Sequence, residues 1–195
     1  MEPQEAEEFG IFQKESDIPP SSKELDLSNL DALCKEGPLP FEKRAMVLWS
    51  LITDVTLRNS FMAFLSNEHC EELLLFLEDV RRCEEKEEVH WCADADAIYK
   101  RFIHPGSSNE VELPSQVRKT LEIFFENSAL SKDASVFADA KSFVEHALMN
   151  GEMLKFLKSP SFQKIVAYKA DRTVIEKKSS ESKVTTTPLH AGAAW

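Results

Sequence analysis

Residues 99–118 read YKRFIHPGSSNEVELPSQVR. Tyr99, Phe102 and Ile103, with Ile98 just before them, space as the apolar face of a helix end. Pro105-Gly106 is a turn dipeptide. In the polar loop that follows, Val111 and Leu113 alternate with Glu110 and Glu112. Ser115 is the expected N-cap of a new helix whose inner face is Val117, Leu121, Phe124 and Phe125. Two apolar helix ends joined by a loop that itself carries apolar residues describe an ordered connection inside a helical domain.

The same period continues in both directions. Upstream, Leu48, Leu51, Ile52 and Val55 lie at i, i+3, i+4 and i+7, and Phe61, Phe64 and Leu65 follow a break near Thr56. Ser66 or Asn67 is the expected cap of the next helix, with Glu68, Glu71 and Glu72 in its first turn. Its stripe is Leu73, Phe76, Leu77 and Val80, and it runs into the charge-rich RRCEEKEEV, residues 81–89. Downstream, Phe137, Ala140, Phe143, Val144, Ala147 and Leu148 predict another amphipathic helix, ended by Asn150-Gly151. Met153, Leu154, Phe156 and Leu157 predict a short one. Ser159-Pro160 starts the last, with Phe162, Ile165 and Val166. No run alternates with period two. The expected fold is all-α, a bundle of about nine short helices whose stripes bury one another.

The domain expected from this pattern covers residues 41–169 of the 195. Residues 1–40 form an acidic arm with Glu2, Glu5, Glu7 and Glu8 and a Pro19-Pro20-Ser21-Ser22 run, too polar to offset its ordering entropy. Within it Leu25, Leu27, Leu30 and Leu33 space as a short helix able to dock on the domain. Residues 170–195 are rich in Ser, Thr and Lys and read as a disordered tail.

Charge and motif content narrow the function. A net charge of −11 and a pI near 5.0 argue against nucleic acid, which needs a basic footprint. Cys34, Cys70, Cys83 and Cys92 show no Cys-x-x-Cys pair and read as reduced cytosolic thiols. No apolar run is long enough to span a bilayer. The five histidines form no metal-ligand spacing, and Cys83, His90 and Cys92 are separated by a glutamate-rich surface segment, so no metal is expected. There is no nucleophile elbow and no glycine loop for a phosphate, so neither a catalytic residue nor a cofactor is expected.

The order of segments resembles the RGS (regulator of G-protein signalling) domain family from about Trp49 to Lys169. SLITDVTLRNSFMAFL (residues 50–65) is similar to the family's opening. NEHCEELLLFLEDV (residues 67–80) is similar to its glutamate-rich helix. AIYKRFIHPGSSNEVELPSQVRK (residues 97–119) is the closest match, and FADAKSFVEHALMNGEMLKFLKSPSFQKIV (residues 137–166) is similar to its closing segment. The resemblance implies a cytoplasmic Gα-binding protein that accelerates GTP hydrolysis without supplying a catalytic residue and is recruited to the inner membrane face by its partner. It holds the Gα switch segments in the geometry of the transition state, and the Gα subunit's own Gln and Arg do the chemistry.

The resemblance also implies where Gα would sit. Its contact residues map to Glu68, Glu72 and Leu73, to Glu110, Val111, Glu112, Leu113, Ser115, Arg118 and Phe124, and to Gly151 and Lys155. The sequence departs from the family at several of these. Leu73 replaces an Asn that orients the Gln of Gα. A second Asn aligns near Phe124 or Phe125, with Asn127 in another register. Gly151 replaces an Asp, and Lys155 its Arg partner. Leu77 replaces a core Trp, and ENSALSKDAS, residues 126–135, is longer than the usual connection. Two functions follow from the resemblance. One is weak GTPase activation. The other is docking of signalling proteins without activation, as in axins and some sorting nexins.

Overall fold

The computed structural model describes residues 39–85, 88–127 and 134–169. The acidic arm, the C-terminal tail and most of the 126–135 connection lie outside the described residues. Among the described residues the α-helices run in order: α1 Phe41–Thr53, α2 Val55–Glu68, α3 Glu71–Glu84, α4 Glu88–Ile98, α5 Ser115–Glu126, α6 Ala138–Asn150 and α7 Glu152–Leu157. A π-helix, Tyr99–Ile103, extends α4, and a 3-10 turn, Ala134–Phe137, leads into α6. Helical backbone resumes over 160–169. Among the described residues there is no strand, as the all-α expectation required.

Each junction has a local cause. Asp54, rather than Thr56, separates α1 from α2, and its carboxylate accepts the Leu57 N–H at 3.0 Å as an N-cap. Ser66 and Asn67 are not caps; they lie inside α2, which ends at His69. His69 holds the left-handed conformation, φ 59, and the Cys70 and His69 amides bond back to Leu65 and Ser66 carbonyls. That closing pattern normally takes glycine. Glu68 therefore ends one helix, and Glu71 and Glu72 begin the next. Ser115 is the first residue of α5, not its cap; Pro114 holds that place with no side-chain bond. At Ser159 the expectation holds, since its hydroxyl accepts the Phe162 N–H at 3.2 Å.

The core has two aromatic halves. In one, Phe156 meets Phe61 at 5.0 Å, Phe64 at 5.5 Å and Phe162 at 5.4 Å between ring centroids. In the other, Phe125 stacks on Tyr99 at 4.5 Å and on Phe137 at 5.8 Å, and Phe76 meets Phe102 and Phe137 edge-on. Helix α6 touches both, packing against α1, α3, α5 and α7 through Ala140, Val144 and Leu148, all fully buried. Three expected core positions are surface instead: Val55 is 73% exposed, Phe143 is exposed, and Ala147 lies on the outer side of α6. Val55 opens α2 just after the Asp54 break, so it no longer shares the face of Leu48 and Leu51.

Ion pairs tie the helices on the outside. Arg58 of α2 makes a two-pronged pair with Glu78 of α3, at 2.6 and 2.5 Å. Asp79 of α3 accepts from Arg101 of the π-turn at 2.8 Å. Lys169 pairs with Asp54, joining the 160–169 helix to the start of α2.

Burial alone would raise the Asp54 carboxyl, but the Lys169 ammonium and the Leu57 and Thr56 amides outweigh it, and the group titrates below its ordinary value. Its contribution is complete above the unfolded pKa, about 3.9, and is lost as pH falls through the lower folded value. Replacing Asp54 by Ala is expected to cost about 1 kcal/mol near neutral pH. Chemical denaturation of both proteins as a function of pH checks this: the gap should close as the parent is titrated below pH 4.

Candidate functional site

The loop after the π-turn is fixed from inside by one guanidinium. Arg118, in the first turns of α5, donates to the Ile103 carbonyl at 2.6 Å and to the Val111 carbonyl at 3.0 Å. The same group pairs with Glu110 at 2.9 Å. The other oxygen of Glu110 accepts the Gly106 N–H at 2.8 Å, and Gly106 turns with φ 80. The Val111 N–H reaches the Phe102 carbonyl at 2.8 Å. The loop's two ends and its turn thus converge on one planar cation, whose fork geometry suits several acceptors at once. Val111 and Leu113 are buried beneath, while Glu112 and Ser115 remain exposed. Phe124 is half-buried against Phe125, and the exposed Asn127 carboxamide donates to the Ile123 carbonyl of its own helix end at 2.9 Å.

A second cluster forms where α2 ends and α3 and α7 begin. Lys155 of α7 pairs with Glu152 at 2.8 Å and reaches Glu68 of α2 at 3.8 Å. Glu152 presses on Cys70, as do Glu72 and Glu68; burial first, and these carboxylates second, push the Cys70 thiol up to about 11. It is therefore protonated and unreactive at neutral pH. Burial raises the Glu72 carboxyl above its ordinary value, and the Glu152 bond raises the exposed Lys155 ammonium. Leu73 is half-buried and packs on the core edge, whereas its neighbour Leu74 is completely buried. The stripe predicted from Leu73 thus continues inward through Leu74, Phe76, Leu77 and Val80.

Gly151 makes the α6–α7 turn. A β-carbon there would stand 3.0 Å from the Ala147 carbonyl oxygen, which accepts the Gly151 N–H. Tight backbone return, rather than loss of an acidic side chain alone, accounts for the glycine.

The sequence-predicted residues therefore fall into two clusters. Glu68, Glu72, Leu73, Gly151 and Lys155 belong to α2, α3, α7 and the turn before α7, and Glu110 to Arg118 belong to the Pro-Gly loop and α5. No hydrogen bond or ion pair joins the two among the described residues. Glu152 and His69 escaped the sequence reading. The Glu152–Lys155 spacing of three on a helix start was the available signal for the first; His69 has none, because its role is a backbone conformation. No group of three or more metal-ligating side chains occurs among the described residues, and no helix there is long and apolar enough to cross a membrane.

Among the described residues the chain is a strandless bundle with a braced loop between its π-turn and α5. Residues 48–165 match the family model described as the Regulator of G protein signaling domain. The chain belongs to that family, whose members regulate GTPases rather than act as catalysts themselves. No curated protein matches the chain significantly.

Arg118→Ala should cost about 1.5–3 kcal/mol, since it removes charged hydrogen bonds to two carbonyls, and should speed amide exchange at Gly106 and Val111. Arg118→Lys, a single-point donor, should restore little of either. Exchange mass spectrometry with thermal unfolding reads both, and a lysine variant as protected as the parent would deny the fork its role.

Proposed function

We propose that the chain binds Gα subunits in their GTP-bound or transition-state form and accelerates their GTP hydrolysis weakly, supplying no catalytic side chain. The observation that carries this reading is the convergence of Glu68, Glu72 and Lys155, drawn from three helices, beside Leu73. With Gly151 and the loop surface at Glu112 and Ser115, these residues are the contact set. Val111, Leu113, Phe124, Glu110 and Arg118 hold the surface from behind. Such a module lowers the barrier by fixing the partner's switch segments, so its contacts must strengthen in the transition state.

Leu73 sets the expected rate. An amide at that place can both donate to and accept from the Gα glutamine; a leucine does neither. Missing one orienting hydrogen bond, worth roughly 1–3 kcal/mol, leaves activation one to two decades below that of an asparagine-bearing relative. The same leucine favours a second reading, in which the fold docks signalling or scaffold proteins without activation. The protein acts in the cytoplasm and reaches the inner membrane face through its partner.

Single-turnover GTP hydrolysis by a panel of Gα subunits, with parent and Leu73→Asn proteins, tests the mechanism. Leu73 is only half-buried, so the variant is expected to stay folded, lose about 1 kcal/mol and raise the activated rate at least tenfold. A folded variant without effect on any Gα would favour docking.

The face has its own test. Glu68→Lys with Glu72→Lys should abolish pull-down of Gα loaded with a transition-state mimic, with the helical spectrum unchanged. Undiminished pull-down would move the contact elsewhere. Glu110 is unsuitable for reversal, because its carboxylate is part of the loop's bracing.

A further inference from the structure

Away from these clusters, α1, α3 and α6 leave a groove between them. Trp49, Ile52 and Leu77 form its apolar lining, and Arg81, Lys141 and Glu145 its polar one. Trp49 is 36% exposed. Phe41, Ala45, Trp49 and Ile52 fall at i, i+4, i+8 and i+11, so an apolar strip of α1 leads into the groove. Phe41, 43% exposed, heads that strip and meets the His146 ring of α6 edge-on at 5.1 Å.

The charges around the groove are not all matched. Arg81 of α3 holds its guanidinium 5.5 Å from the Trp49 ring centroid and pairs with Glu85 at 2.9 Å. Lys141 of α6 donates to Glu84 of α3 at 2.7 Å. Both cations are thereby satisfied. Glu145, one turn beyond Lys141 and half-buried, makes no hydrogen bond or ion pair among the described residues. Burial, the largest influence, raises its carboxyl above the ordinary value; Lys141 offsets only part of that, and Glu84 adds to it. A half-buried carboxylate without a cation, beside an exposed indole and two aliphatic side chains, is one half of a recognition pair.

We propose that this groove docks an amphipathic helical segment of a basic partner protein, whose aliphatic face covers Trp49 and Ile52 and whose Lys or Arg pairs with Glu145. The mode is an apolar helix face laid into a groove between helices. Charge complementarity selects the occupant. Among the described residues the unmatched charge of the groove is negative, and the chain carries −11 overall. That field draws in a basic partner and repels a second copy of the chain. No residue of the groove belongs to the proposed Gα contact set, so this docking does not depend on that reading.

Fluorescence anisotropy tests the assignment, with the full chain and a labelled synthetic helix that carries leucine and lysine at the helical period. The parent should bind it saturably. Glu145→Gln keeps the side chain's shape and removes its charge, so it reads the contact apart from packing; it should weaken binding at least about tenfold. Trp49→Ala should weaken it by a similar factor. Glu126→Gln removes the same charge from the exposed end of α5 and should change binding less than about twofold. Glu68→Gln, in the acidic cluster, should behave like Glu126→Gln. A parent that does not bind would overturn the proposal. So would equal losses from Glu145→Gln and Glu126→Gln, which would reduce the effect to net charge. A loss confined to Glu68→Gln would move the helix to the acidic cluster. Self-association of the parent, seen by sedimentation and abolished by Trp49→Ala, would give the strip to a second copy, also against the proposal.

Discussion

One helix has to serve both halves of the core. Ala140, Val144 and Leu148 form a seam along α6 that is completely buried, and α1, α3, α5 and α7 all close on that helix. One aromatic cluster centres on Phe156 and another on Phe125 and Phe137. Alanine at position 140 and β-branched valine at 144 keep the axis slim enough for neighbours to approach from several sides. Neither half is independent. A change that rotates α6 would disturb the loop bracket through α5 and the acidic cluster through α7 together.

Fold class was legible because the period of 3.6 is carried by large residues such as Phe61, Phe76, Phe102 and Phe156. Their burial leaves little choice of face. Boundaries were less legible. Ser66, Asn67 and Ser115 look like caps, yet the breaks fall at Asp54, His69 and Pro114. Capping preference is a local signal worth about 1 kcal/mol, and a tight closing turn at His69 backed by Leu65 and Phe61 overrides it. Val55 was misread for a related reason, since a stripe is continuous only while the helix is.

The candidate site divides along the same line. Residue types that match the family were visible, but not what they do. Glu110 and Arg118 look like surface charges in a sequence; their partners are carbonyls and an amide of the loop itself, and only folded geometry reveals that. A recognition surface of this kind needs rigid backing more than it needs many charges. Glu68 and Lys155, by contrast, are open to solvent and free to exchange partners, as the proposed contact role requires. Cys70 sits beneath them as a neutral small hydrophobe.

The π-turn sets the aim of everything after it. The His104 N–H bonds to the Tyr99 carbonyl at 2.9 Å, five residues back, so the chain holds one residue more than an α-turn would. This surplus residue lets Ile98, Phe102 and Ile103 all be buried while Tyr99 stacks on α5. It also works as a phase shifter. In an uninterrupted α-helix the exit of the chain would swing by about 100° about the axis, and Pro105-Gly106 would leave on another side of the bundle. The bearing of the loop is therefore written into backbone winding several residues before the loop begins. An insertion or deletion within 99–103 would redirect the surface without altering one residue on it.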